Sequence, residues 1–405
     1  MIMRIQIAFR NVFRNRRRSI TNILMIAGGI TAIAVFRGFA HYVIEKHKEV
    51  TIQSKYGHLQ VATDKIWDPK AGESPRDRAF EPDAEMMSKF AAIKGVESTS
   101  GRISFYGLIN NVDQSVSAFG IGIDPSHERQ MMEHFNITSG RTLKPDAKFE
   151  VILGDGLARQ IGADVGLSLT ALAYTYDGSL NAIDFEVVGL FKSGLVEIDN
   201  STFYAPLATV QHLLDTNSIE RLVFTLQDTS QTENIKSEVA KILPPGLSVR
   251  SWYDLSTLYR QVESYARVNN LVIDWILLVL SLLAIANTVG MSISERTGEI
   301  GTVRAIGDTR FDVFSQFVAE GLSLGFMGGI VGCIMGFITA HIITFMKIPI
   351  VIPGNSSSFP IVVDILPGAF FEAFVLSCSM AVLASLVPAF GASRLKIVEA
   401  LKRNI

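Results

Sequence analysis

The side chains best suited to chemistry lie in one short run, Ser294-Glu295-Arg296-Thr297-Gly298-Glu299-Ile300-Gly301-Thr302-Val303-Arg304-Ala305-Ile306-Gly307-Asp308-Thr309-Arg310. The chemistry they suit is recognition, not bond making. Both charge signs are dense there, and Ile300, Val303 and Ile306 fall on one side if the run is helical. An apolar ridge flanked by charges suits docking into a groove on a partner protein; a solvated turn is the alternative. Gly307 fits a helix stop, and Thr309 with Asp312 has the spacing to cap the next helix. Residues 44–267 contain no His/Cys/Asp cluster with metal-ligand spacing and no G-x-S-x-G nucleophile motif. That region reads as a binding or force-transmitting body and not as an enzyme.

The elements that position this run follow from how charge and apolarity are distributed. The chain has 405 residues, 48% of them hydrophobic, and a formal net charge of −2. Residues 1–43 carry seven basic residues and no acid, residues 44–267 carry 22 basic and 30 acidic, and residues 268–405 carry eight and nine. An acidic polar region would repel phosphates, which excludes a nucleic-acid partner. Four stretches, about 20–43, 270–293, 322–345 and 367–390, reach the roughly 20 apolar residues that a membrane-spanning helix needs. Arg37, His41 and Asp274 lie near span ends, where long side chains reach the headgroups, and the last two spans carry only His341 and Glu372. Arg16, Arg17 and Arg18 precede the first span, and Arg394, Lys396, Lys402 and Arg403 follow the last. The positive-inside rule then places both termini in the cytoplasm and the acidic loop outside. A cleaved signal peptide is the rival reading of the N-terminus, but the apolar run is longer than a typical signal core. Cys333 and Cys378 both fall inside spans, so the exported region gains no disulfide.

The expected layout is a polytopic membrane protein: four transmembrane α-helices, with a large mixed α/β domain inserted between the first and second. Residues 1–18 form a cytoplasmic amphipathic helix, because Ile5, Ala8, Phe9, Val12 and Phe13 share a face away from Arg4, Arg10 and Arg14. The first span covers 19–43, the α/β domain 44–251, a stalk plus the second span 252–293, and a cytoplasmic coupling segment 294–311. The third span covers 312–346, an outer loop 347–366, the fourth span 367–390, and a cytoplasmic tail 391–405. In the domain, alternation predicts strands over Gly57–Ala62, Arg102–Asn110, Ser115–Ile123, Glu150–Leu153, Leu167–Thr175, Ile183–Phe191, Thr202–Tyr204 and Arg221–Leu226. Helices are expected near Ala84–Ile93, Asp155–Ile161, Pro206–Leu214 and Thr232–Ile242, and a loop over Trp67–Glu85.

Ser251 and Asp254 have capping-box spacing, and Leu255, Leu258, Val262, Tyr265, Asn269 and Val272 continue a 3-4 repeat into the second span. A continuous helix over 252–293 would be about 63 Å long, twice the roughly 30 Å of bilayer hydrocarbon. Half of it would project as a stalk whose seam needs a partner, which Ile44, Val50 and Ile52 beyond the first span could supply. In the third span, Gly321, Gly325 and Gly329 are four apart, as are Gly328, Gly332 and Gly336, a helix-packing pattern.

The run E-R-T-G-E-I-G-T-V-R-A-I-G followed by a Gly-rich span resembles the signature of FtsX-like and MacB-like ABC-transporter permeases. Pro388-Ala389-Phe390-Gly391-Ala392-Ser393-Arg394 through Val398-Glu399-Ala400-Leu401 is similar to that family's C-terminal pattern. Ile137–Arg141, Gly154–Ala158 and Gly166 resemble its extracytoplasmic core. Phe185–Gly194, with Tyr204–Leu207, Val210 and Gln211, is closest to the lipoprotein-releasing (Lol-type) branch. Some permeases of that branch carry a hook-like loop for a periplasmic carrier; here the corresponding Tyr176–Ile183 is a short hairpin tip without a recognisable hook.

The resemblance implies a bacterial inner-membrane permease that binds no cofactor itself. With no G-x-x-x-x-G-K-[ST] loop in this chain, ATP and Mg would sit on a separate cytoplasmic ATPase dimer. That ATPase would dock on Glu295, Arg296, Glu299, Ile300, Gly301, Val303, Arg304, Ala305 and Gly307. A second copy of the chain or a related permease would complete the membrane unit, and ATPase closure would move the stalks by mechanotransmission. In the lipoprotein branch, cargo enters sideways between paired first and second spans, at the depth of Phe36, Phe39, Leu271 and Trp275. The leading expectation is extraction of lipoproteins or related lipidated or amphiphilic cargo toward the periplasm, with a periplasmic carrier or adaptor as a further partner. The alternatives are MacB-like export of periplasmic peptides or drugs and FtsX-like signalling to a cell-wall hydrolase. A membrane receptor unrelated to ATP is the most distant reading.

Overall fold

The computed structural model describes residues 16–68, 74–111, 114–351 and 354–397. Residues 1–15 of the expected surface helix and residues 398–405 of the tail lie outside the described residues. The chain divides into two compact units, one of residues 1–44, 263–349 and 360–405, the other of 45–262 and 350–359.

The first unit is helical. It is built from α1 (Arg16–Thr51, extended by a π turn Ile52–Tyr56) up to residue 44, α2 (Thr257–Glu295) from residue 263, α3 (Thr297–Ile306), α4 (Arg310–Met346) and α5 (Pro367–Ser393). Four of these, all but α3, are long and apolar enough to cross a membrane. Their shared core gathers Ile26, Ile30 and Ile33 of α1, Ile285, Val289 and Ile293 of α2, Val313, Phe317 and Leu324 of α4, and Ala373, Ala381 and Ala384 of α5. The glycine rows of α4 face different neighbours. A Cβ on Gly328 or Gly332 would come within 2.7 Å of Ile26 or 2.8 Å of Ile30 on α1. One on Gly321, Gly325 or Gly329 would meet Ser385 at 2.7 Å, Ala381 at 2.4 Å or Phe374 at 2.7 Å on α5. Lipid gives no hydrophobic drive between spans, so close backbone approach and polar contacts must hold them together. Thr31 Oγ1 donates to Gly332 O at 3.1 Å, and Ser377 Oγ donates to Gly325 O at 3.0 Å.

The start of α2 differs from the continuous stalk expected over 252–293. The Ser251–Asp254 capping box forms, but it opens only a single turn, Trp252–Leu255. Ser256, buried and at ψ 87°, breaks that turn and accepts the Tyr259 N–H at 3.2 Å, capping α2 afresh. The long helix therefore begins at Thr257. Two hydroxyl caps five residues apart compete for one helix start, and each begins its own helix.

The second unit is built on strands β1 (Leu59–Thr63), β2 (Val96–Asn110), β3 (Ser115–Ile123), β4 (Asn136–Gly140), β5 (Glu150–Gly154), β6 (Ser168–Tyr174), β7 (Leu180–Lys192), β8 (Thr202–Pro206), β9 (Arg221–Leu226) and β10 (Leu247–Ser251). They run in the order β10-β1-β9-β2-β3-β8-β5-β7-β4, with β6 against β2 and β7. The 15-residue β2 serves two sheets: its first half pairs with β9 (Thr99 opposite Phe224), its second with β3 (Tyr106 opposite Phe119) and β6. Pairs β3–β8 and β5–β7 are parallel, as a mixed α/β domain requires. Apolar side chains collect in clusters around Phe90 and Phe224, around Phe185 and Phe203, and around Phe135, Phe191 and Tyr204. Strands β4 and β10 escaped the sequence pattern because β4 is a mostly exposed edge with one apolar side chain, and the alternation of β10 rests on only two, Leu247 and Val249.

The outer loop expected over 347–366 does not act as one piece, because 350–359 belongs to the α/β unit. Val196 N–H donates to Gly354 O at 3.1 Å and Ser356 N–H to Gly194 O at 2.9 Å. The Ser356 hydroxyl donates to the buried Asp199 carboxylate, which also accepts the Ser193 N–H at 2.7 Å.

Candidate coupling corner and membrane site

The run singled out by its charges folds as α3, closed by Gly307 at φ 127°, where the Gly307 N–H donates to Arg304 O and the Asp308 N–H to Val303 O. A positive φ of this kind favours glycine, so the stop is chemically specified. Thr309 and Asp312 then form a complete capping box for α4.

The nine proposed docking residues divide into two roles. Arg296 is turned inward: it donates to Glu299 at 2.8 Å and to the buried Glu320 of α4 at 2.7 Å. Arg304 donates to Leu395 O at 2.5 Å, fastening α3 to the chain after α5. Ile300 and Gly301 are buried, Ile300 in the helical core. Glu295, Glu299, Val303, Ala305 and Gly307 are exposed. The apolar ridge expected over Ile300, Val303 and Ile306 is therefore divided. Ile300 anchors the corner, while Val303 (43% exposed) and Ile306 (81%) face outward. Charged groups around an outward apolar pair can fix orientation on a partner, and the apolar pair can supply burial.

The four side chains placed at cargo depth differ in exposure. Phe36 and Phe39 are half-buried on α1, whereas Leu271 and Trp275 on α2 are 56% and 60% exposed. The residues of the expected stalk seam are unevenly exposed. Leu255 sits in the separate first turn, Val262 and Asn269 are half-buried, and Leu258, Tyr265 and Val272 are exposed. Val50 packs instead in the cluster with Phe135, Phe191 and Leu195 of the α/β unit. The face of α2 that the helical unit does use carries Ile285, Val289 and Ile293. An apolar 3-4 repeat states that a face avoids water, not what covers it.

Sequence reasoning missed the ionic clamp among the spans. Arg37 of α1 donates to Asp274 of α2 at 2.5 Å and to Glu372 of α5 at 2.6 Å. The sequence places Arg37 and Asp274 near span ends and Glu372 within the last span without linking them; their pairing joins three helices, as intramembrane charges generally require. His41 and Asp364 approach to 2.7 Å nearby in the same unit.

Comparison with known proteins agrees with this architecture. Residues 19–242 match the MacB-like periplasmic core domain and residues 271–397 the FtsX-like permease C-terminal model. The lipoprotein-releasing system transmembrane protein LolC of Neisseria meningitidis is 26% identical over 80% of this chain and 78% of its own length. The macrolide export ATP-binding/permease protein MacB of Escherichia coli is 24% identical over 82% of this chain, which spans about half (52%) of that longer protein. The periplasmic region of MacB from Actinobacillus actinomycetemcomitans aligns with 50% of this chain and 93% of its own, at 13% identity and a TM-score of 0.36. With matched models covering the α/β unit and the C-terminal helices, the chain belongs to the family of FtsX-like and MacB-like ABC-transporter permeases.

Proposed function

We propose that this permease extracts lipidated or otherwise amphiphilic cargo from a bacterial inner membrane toward the periplasm, driven by a separate cytoplasmic ATPase dimer. The observation that carries the proposal is the uncovered apolar face of α2. Leu271, Trp275, Ile276, Val279 and Leu283 are each about half exposed or more, along one continuous helix. A second permease copy facing this stripe would enclose an apolar slot open to lipid, with Phe36 and Phe39 of α1 at its edge. The LolC relative, matched over most of both chains, supports the lipoprotein class of cargo. ATP and Mg would reside on the ATPase, docked at the exposed Val303 and Ile306 with Glu295 and Glu299 beside them. The 39 residues of α2 give a stiff rod of about 58 Å, suited to mechanotransmission. The charge bias at the ends of the spans supports cytoplasmic termini and a periplasmic α/β domain.

A second reading, export of peptides or drugs already in the periplasm, is favoured by the β6–β7 tip. Tyr176 N–H donates to Leu214 O at 3.1 Å and Asp177 pairs with Arg76 at 2.5 Å, so the tip is fastened down and does not project as a carrier hook. Purification in lipid nanodiscs with co-purifying subunits, followed by mass spectrometry, tests these readings. An ATPase together with an acylated protein is the expected result. A periplasmic adaptor or a cell-wall hydrolase without lipidated cargo would overturn the extraction reading.

A further inference from the structure

The α/β unit holds a cavity of about 450 Å³, within the size range of small-molecule sites, and it is lined by an unusual set of charges. Three of its cations and two of its acids must be accounted for. Arg102 is fully committed: it holds the buried Glu128 through two hydrogen bonds of 2.6 and 2.8 Å and the Lys55 carbonyl at 2.6 Å. Lys55 is committed to Glu197 at 2.9 Å. Glu220 accepts the Ser104 N–H at 3.1 Å and its hydroxyl at 2.5 Å. Arg221 remains. It lines the cavity, and its buried Nε has no hydrogen-bond partner among the described residues.

A buried guanidinium nitrogen without a hydrogen-bond partner is costly; Arg78 and Arg304 carry one too, but that of Arg221 belongs to a side chain lining a cavity with room for what would complete it. Burial depresses Arg221 below the usual guanidinium range, with Glu220 opposing and Arg102 adding to the effect. Burial also pushes the Glu220 carboxyl upward, against its bonds from Ser104, which weakens the nearest internal source of negative charge. The lining also includes aromatic rings. Tyr106 and Phe119 stand in register across β2 and β3 with ring centroids 4.7 Å apart, and Tyr106 is 80% exposed. An exposed aromatic ledge facing a cavity offers stacking area, and Ser117 beside it offers a hydroxyl.

We propose that this cavity is a binding site for a small organic oxyanion, a carboxylate or phosphate on an aromatic or apolar body, with Arg221 taking the oxyanion and Tyr106 and Phe119 the body. The site is argued from the α/β unit alone and stands whichever cargo the permease carries. Guanidinium forks bind both oxyanions through paired N–H donors, so the two head groups must be separated by experiment.

Ligand-observed saturation-transfer NMR on the full chain in lipid nanodiscs, with empty nanodiscs subtracted, provides the test. The probes are phenyl phosphate, N-acetyl-phenylalaninate and the uncharged N-acetyl-phenylalanine amide. One or both acids should bind, with the neutral amide roughly tenfold weaker or more, as expected for loss of a charged hydrogen bond. The tighter of the two acids identifies the head group. Arg221→Gln should remove the preference for charge, and Arg221→Lys should restore part of it. Tyr106→Ala, which removes an exposed ring and spares the core, should weaken both acids. The amide binding as tightly as the acids, acid binding unchanged in Arg221→Gln, or no effect of Tyr106→Ala would each overturn the proposal.

Discussion

His58 illustrates how a single buried ring ties the stability of the α/β unit to pH. Its Nδ1 accepts the Leu226 N–H at 3.1 Å, which requires the neutral ring with its proton on Nε2, 3.0 Å from Thr229 Oγ1. Burial lowers its pKa from 6.5 to about 4, with Asp228 pulling the other way. Between those values the unfolded chain binds a proton that the folded chain refuses. Stability therefore falls as pH drops from 6.5 toward 4, by on the order of 3 kcal/mol for this group. In denaturant titrations of the full protein followed by tryptophan fluorescence, His58→Gln should lose less stability than the wild type between about pH 7 and pH 4.5. Parallel pH profiles for the two proteins would reject the assignment. At this scale little was legible in advance. Nothing local marks His58 as buried, and Arg102 and Glu128 lie 26 residues apart, joined only because β2 carries Arg102 into the interior. Pairings of this kind are products of strand order, which the chain does not spell out residue by residue.

Elements were more legible, and unevenly so. The four spans and most strands follow from local periodicity, which length and side-chain alternation record directly. The glycine rows of α4 announced close packing but not the neighbours, and the structure divides them between α1 and α5. A side chain at Gly325 would collide with Ala381, and one at Gly332 would crowd the Ala27 backbone as well as Ile30. Gly290 on α2 has open space around its missing Cβ. Gly325→Leu and Gly332→Leu should each destabilise the helical unit by about 1–3 kcal/mol, the usual range for overpacking. Gly290→Leu should be near neutral. Thermal melts of the three variants in one detergent decide it: a melt for Gly290→Leu as depressed as the other two would remove the distinction between packed and open glycines. The stalk is the counter-case. Its seam and cap were both visible, yet a second hydroxyl at Ser256 restarted the helix, and Leu258, Tyr265 and Val272 of the seam stand exposed.

For the whole molecule, the coupling corner is where sequence and structure meet most productively, because the motif was legible and the role of each residue was not. A charged run with a Gly stop read as one docking surface; the structure separates its inward half from its outward half. Gly301 is buried, so a large residue there would disturb the corner itself and could not distinguish lost docking from lost folding. Arg296 is likewise tied to Glu320 inside the helical unit. Ile306 is the decisive position. It is 81% exposed at the end of α3, so a charge there disturbs nothing the chain buries, while it would place an unpaired charge in any apolar groove that receives the corner. Ile306→Asp should leave the thermal melt of the permease within about 0.5 kcal/mol of wild type, as surface substitutions usually do. Co-purification of the ATPase subunit should fall by tenfold or more, given the roughly 2–5 kcal/mol attached to a buried unpaired charge at an interface. Val303→Asp, less exposed, should show the same loss with a modest cost in stability. Full ATPase recruitment by a stable Ile306→Asp protein would move the docking surface away from α3, and with it the lever that α2 is proposed to drive.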